Sequence, residues 1–284
     1  MRWKSGRRSD NVEDRRGMRI SRGKVGGGIG TIVVLLIALY FGIDPSVLLN
    51  LSTDSVGPGT GTQTAARPAA EDQLADFVSV VLADTEDTWH AVFARAGQTY
   101  QEPGLVMFTD RVQSACGMAQ AAMGPFYCPA DHKVYIDLGF YRELKERFQA
   151  PGDFAQAYVI AHEIGHHVQN QLGILGQVHE ARSRMSTGQW NALSVRLELQ
   201  ADCLAGVWAN HADRTRHILE QGDVEEALNA ASAIGDDRLQ QQTQGRVVPD
   251  SFTHGTSRQR VRWFLRGLRS GEINQCNTFE ADDL

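Results

Sequence analysis

Apolar residues recur at helical spacing at Leu74, Phe77, Val78, Val81, Leu82, Trp89 and Phe93, and Gly97 supplies a stop, so the pattern predicts a helix opening a folded domain near residue 72. The period then changes. Residues 105–109 read as a strand, and Lys133-Val134-Tyr135-Ile136-Asp137 alternates like one. A helix over about 140–148 stops at Pro151-Gly152. Asp153, with Gln156 following, reads as a capping box that opens a long helix to Leu172, terminated by Gly173. A second long helix is expected over 186–210, and shorter ones over 223–234 and 256–269. No internal repeat is visible. These elements predict one helix-rich α+β domain over 72–284, with a small sheet early in it.

A different pattern precedes that domain. Val25–Ile43 runs without a charge, long enough at about 1.5 Å per residue to span the hydrocarbon core as a single transmembrane helix. A cleavable signal peptide would carry a shorter apolar region and a small-residue cleavage site, whereas Asp44-Pro45 and then Val47-Leu48-Leu49 follow here. Residues 44–71 turn to Ser, Thr, Gly, Pro and Ala and read as a flexible tether. Charge divides along the same line. Residues 1–24 hold nine Lys/Arg against three acids, while the rest of the 284-residue chain carries a net −12. The positive-inside rule then puts a basic tail (1–24) in the cytoplasm and the body outside the inner membrane, in the periplasmic or extracytoplasmic space. A body that acidic excludes nucleic acid as a partner. The 42% hydrophobic, 22% charged composition excludes a wholly disordered chain and a polytopic membrane protein.

The four cysteines, Cys116, Cys128, Cys203 and Cys276, fit two disulfides in that oxidising setting, with three pairings open. Proximity in sequence favours Cys116–Cys128, which leaves Cys203–Cys276. No C-x₂-C pair supports a four-cysteine zinc site.

The chemistry concentrates in Ala161-His162-Glu163-Ile164-Gly165-His166-His167, an H-E-x-x-H pattern inside the helix expected over 153–172. Four residues advance about 400° on a helix, so His162 and His166 project from one face and can both ligate one zinc ion. Glu163 lies beside them, placed to act as general base on the attacking water. His167 is turned about 140° from His162 and is not expected to be a ligand. Glu198 on the second long helix supplies a third ligand, and Asp202, four residues on, is placed to accept a hydrogen bond from the far nitrogen of a ligand histidine. Ala201 and Ala205 would let the two helices approach closely. His90, His132, His179, His211 and His217 belong to no constellation and read as surface.

Met1-Arg2-Trp3, Asn11–Gly17, Gly124–Asp131, Ala161–His167, Glu198–Cys203 and Ser251–Ser257 together resemble the bacterial neutral zinc metallopeptidase family, of glutamate-zincin type. The resemblance implies a zinc-dependent endopeptidase acting on peptide or protein substrates, with Zn²⁺ as cofactor. It further implies that the strand at 133–137 is the sheet edge on which an extended substrate pairs. His254 would be the donor that stabilises the oxyanion, with Tyr158 and Tyr135 as weaker options. A non-catalytic zinc module that binds peptides or a partner protein in the cell envelope is the alternative. The oligomeric state has no signature in the sequence.

Overall fold

Strand β2 (Gly104–Phe108) and strand β6 (Lys133–Asp137) each bury four successive residues rather than every second one. Continuous burial of that kind marks strands covered on both faces at the centre of a sheet. The computed structural model, which describes residues 1–18, 69–120 and 124–284, confirms that placement. The main sheet has the order β1-β2-β6-β5, with β1 (Val12–Asp14) and β6 parallel to β2, and β5 (Phe126–Cys128) antiparallel to β6. The strand at 133–137 is therefore interior, and the expectation that it forms the substrate edge is corrected: β5 takes the edge on that side because its pairing with β6 fills the position. A hairpin of β3 (Arg111–Ser114) and β4 (Gly117–Gln120) stands apart as a second sheet.

The helices largely follow the apolar periodicity: α1 (Ala69–Arg95), α2 (Gly139–Glu146), α3 (Asp153–Gln171), α5 (Thr187–Arg216), α6 (Asp223–Ala233) and α8 (Ser257–Ser270). Short helices α4 (Ile174–Arg182) and α7 (Asp236–Gln244) join them in stretches for which the pattern predicts no element, and α5 continues well past residue 210. Ser186 caps α5 and Thr256 caps α8, each through a full capping box. Asp153 does not cap α3. Gly152 is the N-cap, the Glu226 carboxylate accepts from the Phe154 amide at 3.0 Å, and Asp153 instead accepts from the Met1 amine at 2.6 Å.

Residues 1–18 are not a detached tail, which corrects the division into a basic segment at 1–24 and a separate body. Met1–Met18 and Ala69–Leu284 form one compact unit. Val12, Glu13 and Asp14 pair with Leu105, Val106 and Met107, and Trp3 meets Phe77 of α1 edge to face with ring centres 5.3 Å apart. The buried Glu86 carboxylate on α1 gathers the Ser9 hydroxyl at 2.5 Å, the Arg7 guanidinium at 2.7 Å and the Asn11 amide at 2.9 Å. The apolar run 25–43 and residues 44–68 of the tether lie outside the described residues. Among the described residues, no helix is long and apolar enough to cross a membrane.

Both disulfides join the pairs favoured by sequence, Cys116–Cys128 and Cys203–Cys276. The second ties α5 to the segment after α8. Two glycines make that region dense: a Cβ on Gly206 would lie 2.1 Å from the Phe264 carbonyl oxygen, and one on Gly267 would lie 1.9 Å from that of Cys203. Helices α5 and α8 thus cross backbone to backbone.

Deleting residues 1–14 removes β1 and strips Glu86 of its three partners. Orphaning a buried charge costs about 3–5 kcal/mol, which for a domain of this size lowers the melting temperature on the order of 10 °C. Thermal unfolding followed by circular dichroism measures this, and an unchanged midpoint would show the segment to be dispensable.

Candidate metal centre

Helix α3 carries the H-E-x-x-H residues through the interior, and Gly165 within the motif permits the approach of α5. A Cβ at Gly165 would lie 2.9 Å from the Ala201 carbonyl oxygen and 3.3 Å from the Ala201 side chain. The small residue expected at 201 therefore meets a missing side chain at 165. This contact brings Glu198 opposite the two histidines. The Glu198 carboxylate lies 3.2 Å from His162 Nε2 and 3.5 Å from His166 Nε2. One donor atom from each of His162, His166 and Glu198 falls within 4.8 Å of the other two.

The donor set fits zinc. With bonds of about 2.0–2.1 Å, the corners of a tetrahedron are roughly 3.4 Å apart, close to both separations. Both histidines are also backed on their far nitrogens. His162 Nδ1 donates to Asp202 at 2.8 Å, and His166 Nδ1 donates to the Gln169 amide oxygen at 2.8 Å, so on each ring Nε2 is the atom that faces a metal. Gln169 is itself held, donating to the Leu197 carbonyl at 2.8 Å and to Gln200 at 3.1 Å, so its orientation is set by α5.

Asp202 has no solvent exposure and three donors. Besides His162 it accepts from the Tyr158 hydroxyl at 2.5 Å and, through both oxygens, from Arg260 of α8 at 2.8 and 2.9 Å. Arg260 is nearly fully buried and extends to the Tyr158 hydroxyl at 3.3 Å. Burial alone would drive the His162 imidazolium to lower pKa, but Asp202 and then Glu198 lift it to about 10. Burial would likewise raise the Glu198 carboxyl, yet the facing imidazoles of His166 and His162 hold it well below the usual range. Without metal, His162 carries its proton between the two carboxylates Asp202 and Glu198, and a metal cation would take the place of the proton on Nε2.

Glu163 follows His162 on the same helix and is largely buried, and its carboxylate is engaged in no ion pair among the described residues. His254 lies in the loop before α8, half exposed. Its Nδ1 meets Asp236 at 3.2 Å, and the Asp236 hydrogen bond first, with Glu198 as a further charge, raises its pKa. Gly255, at φ +87°, presses this loop against α5, where a Cβ would meet Val195 at 3.2 Å and Leu199 at 3.4 Å. Tyr158 is spent on Asp202. Tyr135 donates to Asp131 at 2.7 Å and stacks on Phe126, which removes both tyrosines from contention as oxyanion donors.

His167 faces away from the cluster, as its place on the helix predicts. It is fully buried, and burial lowers its pKa to about 4, so it is neutral. Nε2 donates to the Gln101 carbonyl at 2.6 Å, and Nδ1 accepts from the Tyr127 hydroxyl of β5 at 2.9 Å. The opposite face of α3 is thereby fastened to the sheet edge.

Arg260 and Gln169 were not anticipated. A signal for Arg260 exists in the sequence: it shares the apolar stripe of α8 with Trp263, Phe264 and Gly267, and a cation on a buried stripe demands a buried anion. For Gln169 the signal is weaker, an amide one turn beyond His166.

A family model described as "Putative neutral zinc metallopeptidase" matches residues 1–279. The chain is 53% identical over 297 aligned positions to "Uncharacterized protein YpfJ" of Escherichia coli (strain K12), covering 98% of this chain and 99% of that protein. It is 40% identical over 262 positions to "Uncharacterized protein Rv2575" of Mycobacterium tuberculosis (strain ATCC 25618 / H37Rv) and to "Uncharacterized protein Mb2605" of Mycobacterium bovis (strain ATCC BAA-935 / AF2122/97), in each case over 87% of this chain and 86% of the relative. No solved structure matches the chain.

Replacing His162, His166 or Glu198 by Ala is expected to abolish stoichiometric zinc binding measured by elemental analysis, whereas His167→Ala retains the metal. Equal loss in all four variants would refute the assignment of ligands by helix face. Asp202→Asn or Arg260→Met should weaken zinc about 10–100-fold in competition with a chelator, because each disturbs the group that orients His162.

Proposed function

The chain belongs to the neutral zinc metallopeptidase family, and we propose that it is a zinc-dependent endopeptidase of the cell envelope that meets the inner membrane through the apolar run 25–43, with its catalytic unit outside the cytoplasm. The observation that carries the enzymatic reading is the convergence of His162 Nε2 and His166 Nε2 on the Glu198 carboxylate, with an uncommitted Glu163 on the same helix. Two neutral imidazoles and one carboxylate make a site of net charge +1 with zinc and leave a fourth position open, the arrangement of a catalytic rather than a structural site. Zinc bound there supplies a Lewis acid for the scissile carbonyl and makes a water acidic enough to attack at neutral pH.

The protein's own groups do the remaining work. Glu163 takes the proton of the attacking water and passes it to the leaving amine, a role that needs a carboxylate free of ion pairs. His254, whose pKa the Asp236 hydrogen bond and the charge of Glu198 raise, stabilises the negative oxygen that develops on the carbonyl. The exposed side of β5 holds an extended substrate by backbone hydrogen bonds, since β5 ends the main sheet and is fastened to α3 by Tyr127 and His167. The two disulfides favour the envelope location, where such bonds persist.

Glu163→Gln decides between an enzyme and a zinc module that only binds peptides. It is expected to keep its zinc and to lose about 10²–10⁴-fold in the rate of cleaving a denatured protein, the usual contribution of a general base. Unchanged cleavage would remove Glu163 from the mechanism, and absence of cleavage by the unaltered protein, with zinc bound, would support the binding module.

A further inference from the structure

We infer that residues Met1–Met18 and Ala69–Leu284 lie on the same side of any membrane that the apolar run Val25–Ile43 enters, so this run does not act as a single-pass anchor. The inference rests on the sheet and is independent of the peptidase reading. β1 is hydrogen-bonded in parallel to β2, with Val12, Glu13 and Asp14 in register with Leu105, Val106 and Met107. A strand on one side of a bilayer cannot pair with a strand on the other. The two ends of the intervening segment are also held together: Arg16, four residues after β1 begins, donates to the Glu71 carbonyl at 2.9 Å and lies 3.6 Å from Asp72 at the start of α1. The chain leaves the folded unit and rejoins it at one place.

The sequence offers no second crossing to reconcile the sheet with a span. After Ile43 the longest apolar stretch before α1 is Val47-Leu48-Leu49, far short of the roughly 20 residues a returning helix needs. The polar Ser/Thr/Gly/Pro sequence that follows cannot satisfy its backbone groups in lipid.

The charge asymmetry that argued for a cytoplasmic tail has another use in the fold. Arg7 pairs with Glu86 at 2.7 Å, Arg8 with Asp76 at 2.6 Å, Arg16 with Asp72 at 3.6 Å, and Arg2 with Glu220 at 3.6 Å. These cations complement the acidic body, so their sign reports docking onto it and not retention in the cytoplasm. The disulfides then place the whole unit, first residues included, in the oxidising compartment.

All four natural cysteines are paired, so a single added thiol reports its own location. Ser5→Cys and Lys4→Cys mark the first segment at exposed positions, and Ser183→Cys marks the body. Each variant of the full chain is expressed with its natural membrane, and intact spheroplasts are treated with a membrane-impermeant maleimide before and after lysis. The expected result is labelling of all three thiols before lysis. Labelling of all three only after lysis would still uphold the shared side while moving the unit to the cytoplasm. Labelling of Ser183→Cys before lysis, with both first-segment thiols protected until lysis, would overturn the inference and restore the single-pass arrangement. Two positions in the first segment guard against a local disturbance of the fold deciding the outcome.

Discussion

Asp202 is a carboxylate with no contact with water, and the geometry of the site follows from how its charge is satisfied. Three side chains meet its two oxygens through four donor atoms: the His162 ring nitrogen, the Tyr158 hydroxyl and two nitrogens of Arg260. A buried ion pair of this kind contributes little net stability over an apolar replacement, because desolvation of both ions offsets their attraction. What it supplies is direction. The Asp202 oxygen holds the proton on His162 Nδ1 and so aims Nε2 at Glu198. Arg260 in turn prevents the carboxylate from rotating or taking up a proton. A histidine without this arrangement would swing between rotamers and tautomers and bind metal weakly.

That arrangement needs three helices at close range, and the sequence provides for it with missing side chains. Gly165 against Ala201 brings α3 to α5, and Gly206 with Gly267 brings α5 to α8. The Cys203–Cys276 disulfide begins one residue after Asp202 and closes the same crossing from the other side. Trp208 stacks on Phe154 with ring centres 5.7 Å apart, and Tyr158 meets Phe264 edge to face at 5.4 Å, so aromatic bulk fills the space around the polar knot. The ligands are thus carried on rigid elements whose spacing is set by backbone contact, and none depends on a loop for its position.

How much of this was legible follows from the range of each interaction. Residues four apart on one helix announce themselves, so His162, His166, Glu198, Asp202 and the exclusion of His167 could all be read from spacing. The long helices were legible for the same reason. Arg260 lies 58 residues from its partner, and nothing local distinguishes it except its place on an apolar stripe. β1 was invisible because three residues carry no periodicity, and its basic surroundings read as a topological signal. The interior position of β6 was missed because the resemblance assigned the edge to it, and three-residue β5, its outer neighbour, has too little periodicity to announce itself. Lys133 reaches Glu13 across the sheet, and Asp137 accepts from the Asp110 and Gly139 amides at 2.8 and 2.7 Å. Both charges serve the strand ends, while the residues between them are core.

Neighbouring histidines on α3 show how one helix can serve two faces. His166 looks toward α5 and is set by Gln169, while His167 looks toward the sheet and is set by Gln101 and Tyr127. The first stays available for a cation because its Nδ1 proton is engaged. The second is kept neutral because burial outweighs its one backbone acceptor. Since Tyr127 belongs to β5, the register of that edge strand is fixed relative to the helix that carries the ligands. The same helix begins at Asp153, where the Met1 amine docks, and Met1 leads through Trp3 and Glu86 to β1 at the opposite edge of the sheet. Helix α3 therefore links both edges of the sheet to one cluster of donors. A first segment that reads as peripheral by sequence belongs to the same compact unit as the site.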